Sequence, residues 1–300
     1  MKALDVQVIR WAEEVLNSSI TAYEPLTGAT SSRLYKMELT DAEAVLRLYD
    51  NEAWLEKEPD LAEHEAESLK QAEKLSVATP EVIGVDRNGK ACGLPAVIMS
   101  VVDGKVELQP ADFERWLDEL AKTLADIHRL TADDFQWEHF TYQDMGSVSV
   151  PAWTNRTEAW NRAAKYVQQK PKQTRLCFIH RDYHPCNVLW TNGNVSGVVD
   201  WVNACRGPAG VDVAHCRVNL AQLYGSETAD HFLDRYLAHA GRDYKHDPYW
   251  DLAGLFDIGA AEAAPSVYEG WPVFGMKHLT DALIAERIEQ YLDRILARIK

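Results

Sequence analysis

Residues 179–190 read IHRDYHPCNVLW and pack two histidines, an arginine, an aspartate, a cysteine and an asparagine between apolar flanks. Such a run is a metal cage, a surface loop, or a place where a hydroxyl group loses its proton. For zinc, His180, Asp182 and His184 alternate as strand neighbours on one face would, and His215 and Cys216 follow downstream. Tetrahedral zinc asks for three or four converging ligands at an established spacing, and His-x-Asp-x-His alone supplies none. The cysteines Cys92, Cys177, Cys186, Cys205 and Cys216 form no CxxC pair, so buried free thiols are expected in place of a zinc knuckle or a disulfide framework.

The flanks of this stretch are short apolar strands, RLCFI before it and VSGVVDW after it, with an Asn192-Gly193 turn between them. Asp212 sits where an N-cap is expected, ahead of VAHCRVNLAQLY and a stop at Gly225. Upstream, Trp116, Leu117, Leu120, Leu124 and Ile127 follow helical spacing over 113–130, and a second helix is expected around 154–169. The chain ends in a helix whose Ile288, Tyr291, Leu292, Ile295 and Ile299 make one apolar stripe.

The first hundred residues have a different texture. SITAYEPL, RLYKMEL and EAVLRLYD alternate as three short antiparallel strands, with Thr40-Asp41 turning between the last two. DLAEHEAESLKQAEKL reads as a helix, and PEVIGVDRNGKACGLPAVIMSVV as two strands joined at Asn88-Gly89. At 300 residues, two domains or lobes are expected, divided near a hinge at 100–105. The expectation is an α+β chain: residues 1–103 as a small antiparallel-sheet lobe and 104–300 as a mostly helical one.

His180-Arg181-Asp182 followed by Asn187 fits the phosphoryl-transfer loop pattern H-R-D-x-x-x-x-N, and Asp200 ends the GVVD strand that follows. One carboxylate of such a set accepts a substrate hydroxyl proton. The amide oxygen and the second carboxylate are hard ligands that suit magnesium. HRDYHPCNVLW with GVVDW resembles the aminoglycoside phosphotransferase and choline kinase-like family, the small-molecule branch of the protein-kinase-like fold. DWVNACRGPAGVDVA, HEAESLKQA and LAKTLADIHRL resemble further family segments, so the likeness spans about residues 20–240.

The resemblance implies a bilobal fold and roles for named residues. Asp182 becomes the catalytic carboxylate, Asn187 and Asp200 the magnesium ligands, and Glu65 the partner of a strand cation, Arg47, where the family usually has lysine or arginine. Arginine's planar fork suits a carboxylate and phosphate oxygens. His180 is expected to orient the loop with Asp212 behind it. No GxGxxG is present; TGATSSRL offers Gly28, Thr30, Ser31 and Ser32 for phosphate, an ordinary turn composition when taken alone. Ser100 and Val102 fall at the hinge where adenine is expected. Arg181 stands where this branch commonly has glycine. The absence of Asp-Phe-Gly and Ala-Pro-Glu speaks against a protein kinase.

The implied reaction is transfer of the γ-phosphoryl group of ATP or GTP, with magnesium, to a hydroxyl of a small molecule. The stretch from Gly241 to Gly275 mixes carboxylates and aromatic rings, with Asp251, Asp257, Glu262 and Trp271 among them, and these residues, with Asp212, are the expected acceptor contacts. Such walls suit an aminoglycoside or another antibiotic. A metabolic acceptor resembling choline or homoserine is the alternative, and an ATP-binding pseudokinase or regulatory module is a further one. A formal net charge of -15 argues against nucleic acid as a partner. Residues 1–103 hold 10 Lys+Arg against 19 Asp+Glu, so the acidity is not concentrated where the acceptor is expected. No apolar run reaches the length of a membrane span, and the N-terminus lacks the pattern of a signal peptide, so a cytoplasmic monomer or homodimer is expected.

Overall fold

A computed structural model describes residues 4–26, 32–169, 171, 176–259 and 263–299. The chain separates into two compact units, Met1–Asp103 with Gly197–Asn203, and Gly104–Ser196 with Ala204–Lys300. Among the described residues no helix is long and apolar enough to cross a membrane.

The first unit opens with α1 (Val6–Leu16), started by the Asp5 carboxylate accepting from the Gln7 amide at 2.8 Å and ended by Asn17 in the left-handed region, φ 49°. Next come β1 (Ile20–Pro25), β2 (Arg33–Leu39), β3 (Glu43–Leu48), α2 (Glu52–Lys57), α3 (Leu61–Ala72), β4 (Val82–Asp86) and β5 (Ala96–Ser100). The strands form an antiparallel sheet in the order β1-β2-β3-β5-β4. Alternation along β3 decides what each face carries. Leu46 and Leu48 join Val8, Trp11, Met37 and Ile98 in an apolar core, while Arg47 points to the other face, where α3 packs. Gly197–Asn203 belongs to this unit and not, as read from sequence, to the second. Its Val198 amide donates to the Ala78 carbonyl at 2.9 Å, and its Asp200 pairs with Arg47.

The second unit runs through β6 (Lys105–Val106), α4 (Phe113–Ile127), α5 (Thr157–Val167), β7 (Leu176–Ile179), a 3-10 turn at Pro185–Asn187, β8 (Val188–Thr191) and the start of β9 (Asn194–Val198), whose last two residues belong to the first unit. It continues with β10 (Cys205–Pro208), α6 (Ala209–Tyr224), α7 (Ser226–Ala240), α8 (Pro248–Gly259), α9 (Gly270–Val273) and α10 (Asp281–Ala297). β7 pairs antiparallel with β10, and β6-β8-β9 form a second small sheet. The apolar stripe expected on the last helix is buried as Ile284, Ile288, Tyr291, Leu292 and Ile295, packed with Trp160, Leu252 and Phe256.

Two sequence expectations change here. α6 begins at Ala209 after Pro208, whose ring fixes φ at -70° and serves as the N-cap, so Asp212 lies inside the first turn and is not the cap. Asp251 and Trp271, expected to face an acceptor, are 1% exposed core residues. Asp251 pairs with the fully buried Arg217, accepts from the Tyr291 hydroxyl at 3.1 Å and meets His246 Nε2 at 2.9 Å. Arg217 also binds Asp230 at 2.8 Å and the Ala229 carbonyl at 3.0 Å. Removing one side of such a pair leaves a buried charge short of a counter-ion, at a cost of about 3–5 kcal/mol. Asp251→Ala is therefore expected to lose stability by that order in urea denaturation; an unchanged midpoint would contradict the ion pair's structural role.

Candidate active site

The first unit carries one buried charge cluster. Arg47 Nε lies 3.0 Å from Glu65 Oε1 as an ion pair, its Nη2 donates to Asp200 Oδ1 at 2.9 Å, and its Nη1 donates to Ser32 Oγ at 3.1 Å. Burial opposes the arginine's charge, yet Asp200 and Glu65 carry its pKa above the ordinary value. Tyr49 donates its hydroxyl to Glu65 Oε2 at 2.5 Å. Burial nevertheless pushes Glu65 up, against the pull of Arg47 and Tyr49. Asp200 follows the end of β9 in the left-handed region, φ 69°, and the Trp201 indole closes this corner by donating to the Val198 carbonyl at 2.9 Å.

The sequence thus brings Arg47, Glu65, Asp200 and Ser32 together. Gly28, Thr30 and Ser31 lie outside the described residues. Ser100 uses its N–H on the Glu81 carbonyl and its hydroxyl as acceptor for the Glu81 N–H, both at 2.9 Å. The Val102 side chain abuts Gly197, where an added Cβ would meet it at 2.3 Å.

The second unit carries the loop of 179–190. β7 delivers Ile179 into the core, and the chain turns at His180 under the control of one carboxylate. Fully buried Asp212 accepts from the His180 amide at 2.7 Å and the Arg181 amide at 2.6 Å. Its Oδ2 also takes His128 Nε2 at 3.0 Å, whose Nδ1 meets the Tyr236 hydroxyl at 2.7 Å. Burial raises the Asp212 pKa, but the hydrogen bond and charge of His128, with His180 and the amides, carry it below its ordinary value. Arg181 adopts φ 68° as the backbone reverses, and the Asp182 amide donates to His180 Nδ1 at 3.3 Å.

Asp182 is held at both oxygens. Asn187 Nδ2 donates to the Asp182 carbonyl at 2.9 Å and to its Oδ2 at 3.2 Å; His215 Nε2 donates to Oδ1 at 3.0 Å. His184 Nε2 stands 3.9 Å from that same oxygen, and its Nδ1 accepts the Cys186 amide at 3.4 Å to start the 3-10 turn that presents Asn187. Against burial, His184 and His215 keep the Asp182 carboxyl well below the usual carboxylate range. About a third of its side chain, 31%, is exposed. An ionised, oriented and accessible carboxylate can accept a hydroxyl proton.

His215, which the sequence left aside except as a distant zinc candidate, joins this cluster. It stands one helical turn beyond Asp212 and so shares its face of α6, which was the available signal. Among the described residues, Asp182, His184 and His215 form a group whose ligand atoms lie within 4.8 Å of one another. His184 Nδ1 accepts the Cys186 amide, so its Nε2 faces Asp182, and His215 Nε2 meets the same carboxylate oxygen at 3.0 Å. Of the remaining acceptor candidates, Asp257 is pushed up by burial and pulled down by His215 and Arg181, while Glu262 lies outside the described residues.

Asp182 raises the His215 pKa in spite of burial. The stability this contributes is complete below the unfolded value of about 6.5 and is lost as pH rises through the higher folded value. Between about pH 5.5 and pH 9 the wild type should lose more unfolding free energy than His215→Gln; equal losses in the two proteins would contradict the pairing.

A homoserine kinase of Methylobacterium nodulans is 28% identical over 144 residues, 43% of this chain and 42% of that protein, so the match spans about two-fifths of the curated relative's length. Aminoglycoside phosphotransferase APH(4)-Ia shares the fold at TM-score 0.62, with 16% identity and coverage of 98% of this chain and 99% of that one. Spectinomycin phosphotransferase APH(9)-Ia, solved with ADP and spectinomycin, gives TM-score 0.60 at 12% identity over 97% and 100% of the two chains. The antiparallel sheet followed by a mostly helical part is the α+β, protein-kinase-like fold expected from the loop. The family model for the phosphotransferase enzyme family matches residues 22–251 of the 300, and the chain belongs to that family.

Proposed function

We propose that the protein transfers the γ-phosphoryl group of ATP, or GTP, to a hydroxyl of a small molecule. The observation that carries this reading is the Asp182 carboxylate, kept ionised beside His184 and His215 and oriented by Asn187 and His215. In phosphoryl transfer the protein's work is positioning and charge stabilisation. Asp182 aligns the acceptor hydroxyl and takes its proton. His180, fixed by Asp212, sets the loop. Arg47, oriented by Glu65, is the cation for the nucleotide phosphates. Ser100 spends its N–H and hydroxyl on Glu81, and the backbone of Val101 and Val102 is the hinge contact for the base.

The donor set fits magnesium. Asn187 Oδ1 and Asp200 Oδ2 are hard oxygens without a hydrogen-bond partner among the described residues, since Asn187 donates through Nδ2 and Asp200 engages Arg47 through Oδ1. Magnesium bound by them would neutralise charge on the nucleotide phosphates. For the acceptor, the similarity to antibiotic phosphotransferases supports an antibiotic, and the similarity to homoserine kinases supports a metabolic alcohol.

Asp182→Ala is expected to lower kcat by about two to four orders of magnitude in a magnesium-dependent ADP-release assay with a panel of hydroxylated acceptors. The KM for ATP should stay within about threefold, because the carboxylate acts on the acceptor. Arg47→Ala should do the reverse, raising the KM for ATP. Full turnover by the Asp182 variant would remove the mechanism.

A further inference from the structure

Arg181 occupies the left-handed region at φ 68°, where a residue with a Cβ is disfavoured and glycine is not. The side chain held there is not idle. Its guanidinium carbon sits 4.1 Å from the centroid of the Phe140 ring and 4.6 Å from that of Tyr142, and its Nη2 donates to the Phe140 carbonyl at 2.9 Å. The two rings meet edge to face at 5.0 Å and remain 45% and 59% exposed. Among the described residues no carboxylate lies within ion-pair distance of Arg181, and its Nε and Nη1 have no hydrogen-bond partner. A planar cation is thus seated on two aromatic faces with donors to spare.

The platform runs beside α8, the helix that carries the proposed acceptor contact Asp257. Gln143 Nε2 donates to the Phe256 carbonyl at 3.3 Å, and the His139 ring meets Trp250 at 6.2 Å, so residues 139–143 run along α8 towards Asp257. Asp257 feels both Arg181 and His215, and His215 is the residue that grips Asp182. The described carboxylates Asp182, Asp251 and Asp257 are already engaged by cationic neighbours. Asp251 is locked into the core by Arg217, and Asp182 and Asp257 both face cationic neighbours.

We infer that Arg181, seated on Phe140 and Tyr142, is an acceptor-binding residue that selects a hydroxyl compound carrying a carboxylate and disfavours polycations. This rests on the transfer reaction proposed above. Guanidinium matches a carboxylate with two parallel donors, and the flanking rings shield that pairing from water.

The test grades acceptors by charge. Magnesium-dependent ADP release is measured with L-homoserine, 4-hydroxybutyrate, 4-aminobutan-1-ol and kanamycin, for the wild type, Arg181→Gly, Arg181→Lys and Tyr142→Ala. Glycine tolerates the backbone at 181, so that variant keeps the loop, and position 142 is exposed enough to be changed without disturbing the core. Carboxylate acceptors should be preferred by the wild type. Arg181→Gly should raise their KM about tenfold or more while kcat stays within about threefold. Arg181→Lys should recover only part of this loss, and Tyr142→Ala should raise KM about threefold. Preference for kanamycin or the amino alcohol, or an Arg181→Gly effect confined to kcat, would overturn the inference and leave the transfer reaction standing. No turnover of any acceptor would count against the transfer reaction itself and remove the inference with it.

Discussion

One buried carboxylate holds the loop of 179–190 from behind. Asp212 is wholly enclosed, and burial alone would favour its neutral form. Two consecutive backbone amides and the His128 imidazole point donors at its two oxygens, and together they outweigh desolvation. The contrast with Glu65 shows how close that balance is. Glu65 receives one well-aligned hydroxyl and one ion-pair contact, and there burial wins. At Glu65 the nearby Asp200 charge adds to the rise, whereas at Asp212 the charges of His128 and His180 act with the hydrogen bonds to lower it.

The consequence is local and directional. With both amides of His180 and Arg181 fixed, the backbone must reverse at Arg181, and Asp182 emerges with its carboxylate towards His215 and the Asn187 amide. Asn187 arrives through a 3-10 turn started by His184, so a single short segment supplies the Asp182 carboxylate, its orienting amide and a neighbouring imidazole. The first unit builds its cluster from another principle. The alternation of β3 puts Arg47 on the face opposite the apolar core, and α3 meets it with Glu65. Asp200 joins through a second left-handed residue, φ 69°. The cluster holds one cation against two carboxylates, which leaves Asp200 with an oxygen to offer.

Much of this was legible in the sequence wherever the information was local. The strands of the first unit announced themselves by period-two alternation, and the amphipathic helices by their buried stripes. The loop was readable because His180, Asp182 and Asn187 lie within one short run. What was misread depends on partners far along the chain. Asp251 looked like a surface acid in an aromatic stretch because its counter-ion, Arg217, sits on a different helix. Asp212 looked like a cap because Pro208, and not the acid, sets where α6 begins. His215 was read only as a distant zinc candidate because its bond to Asp182 crosses from α6 to the loop, and the seat of Arg181 went unread because Phe140 and Tyr142 belong to an irregular segment without a periodic signature.

The claim on which these relations rest is that Asp212 imposes the loop geometry, and residue-resolved amide hydrogen exchange reads it directly. Replacing Asp212 by asparagine keeps the shape but turns one acceptor oxygen into a donor, so the two amides cannot both be satisfied. In the wild type the amides of His180 and Arg181 should exchange only with the slowest class of the protein. In Asp212→Asn at least one of them should exchange about a hundredfold faster or more while the helical core keeps its protection. Equal protection of both amides in the two proteins would contradict the account.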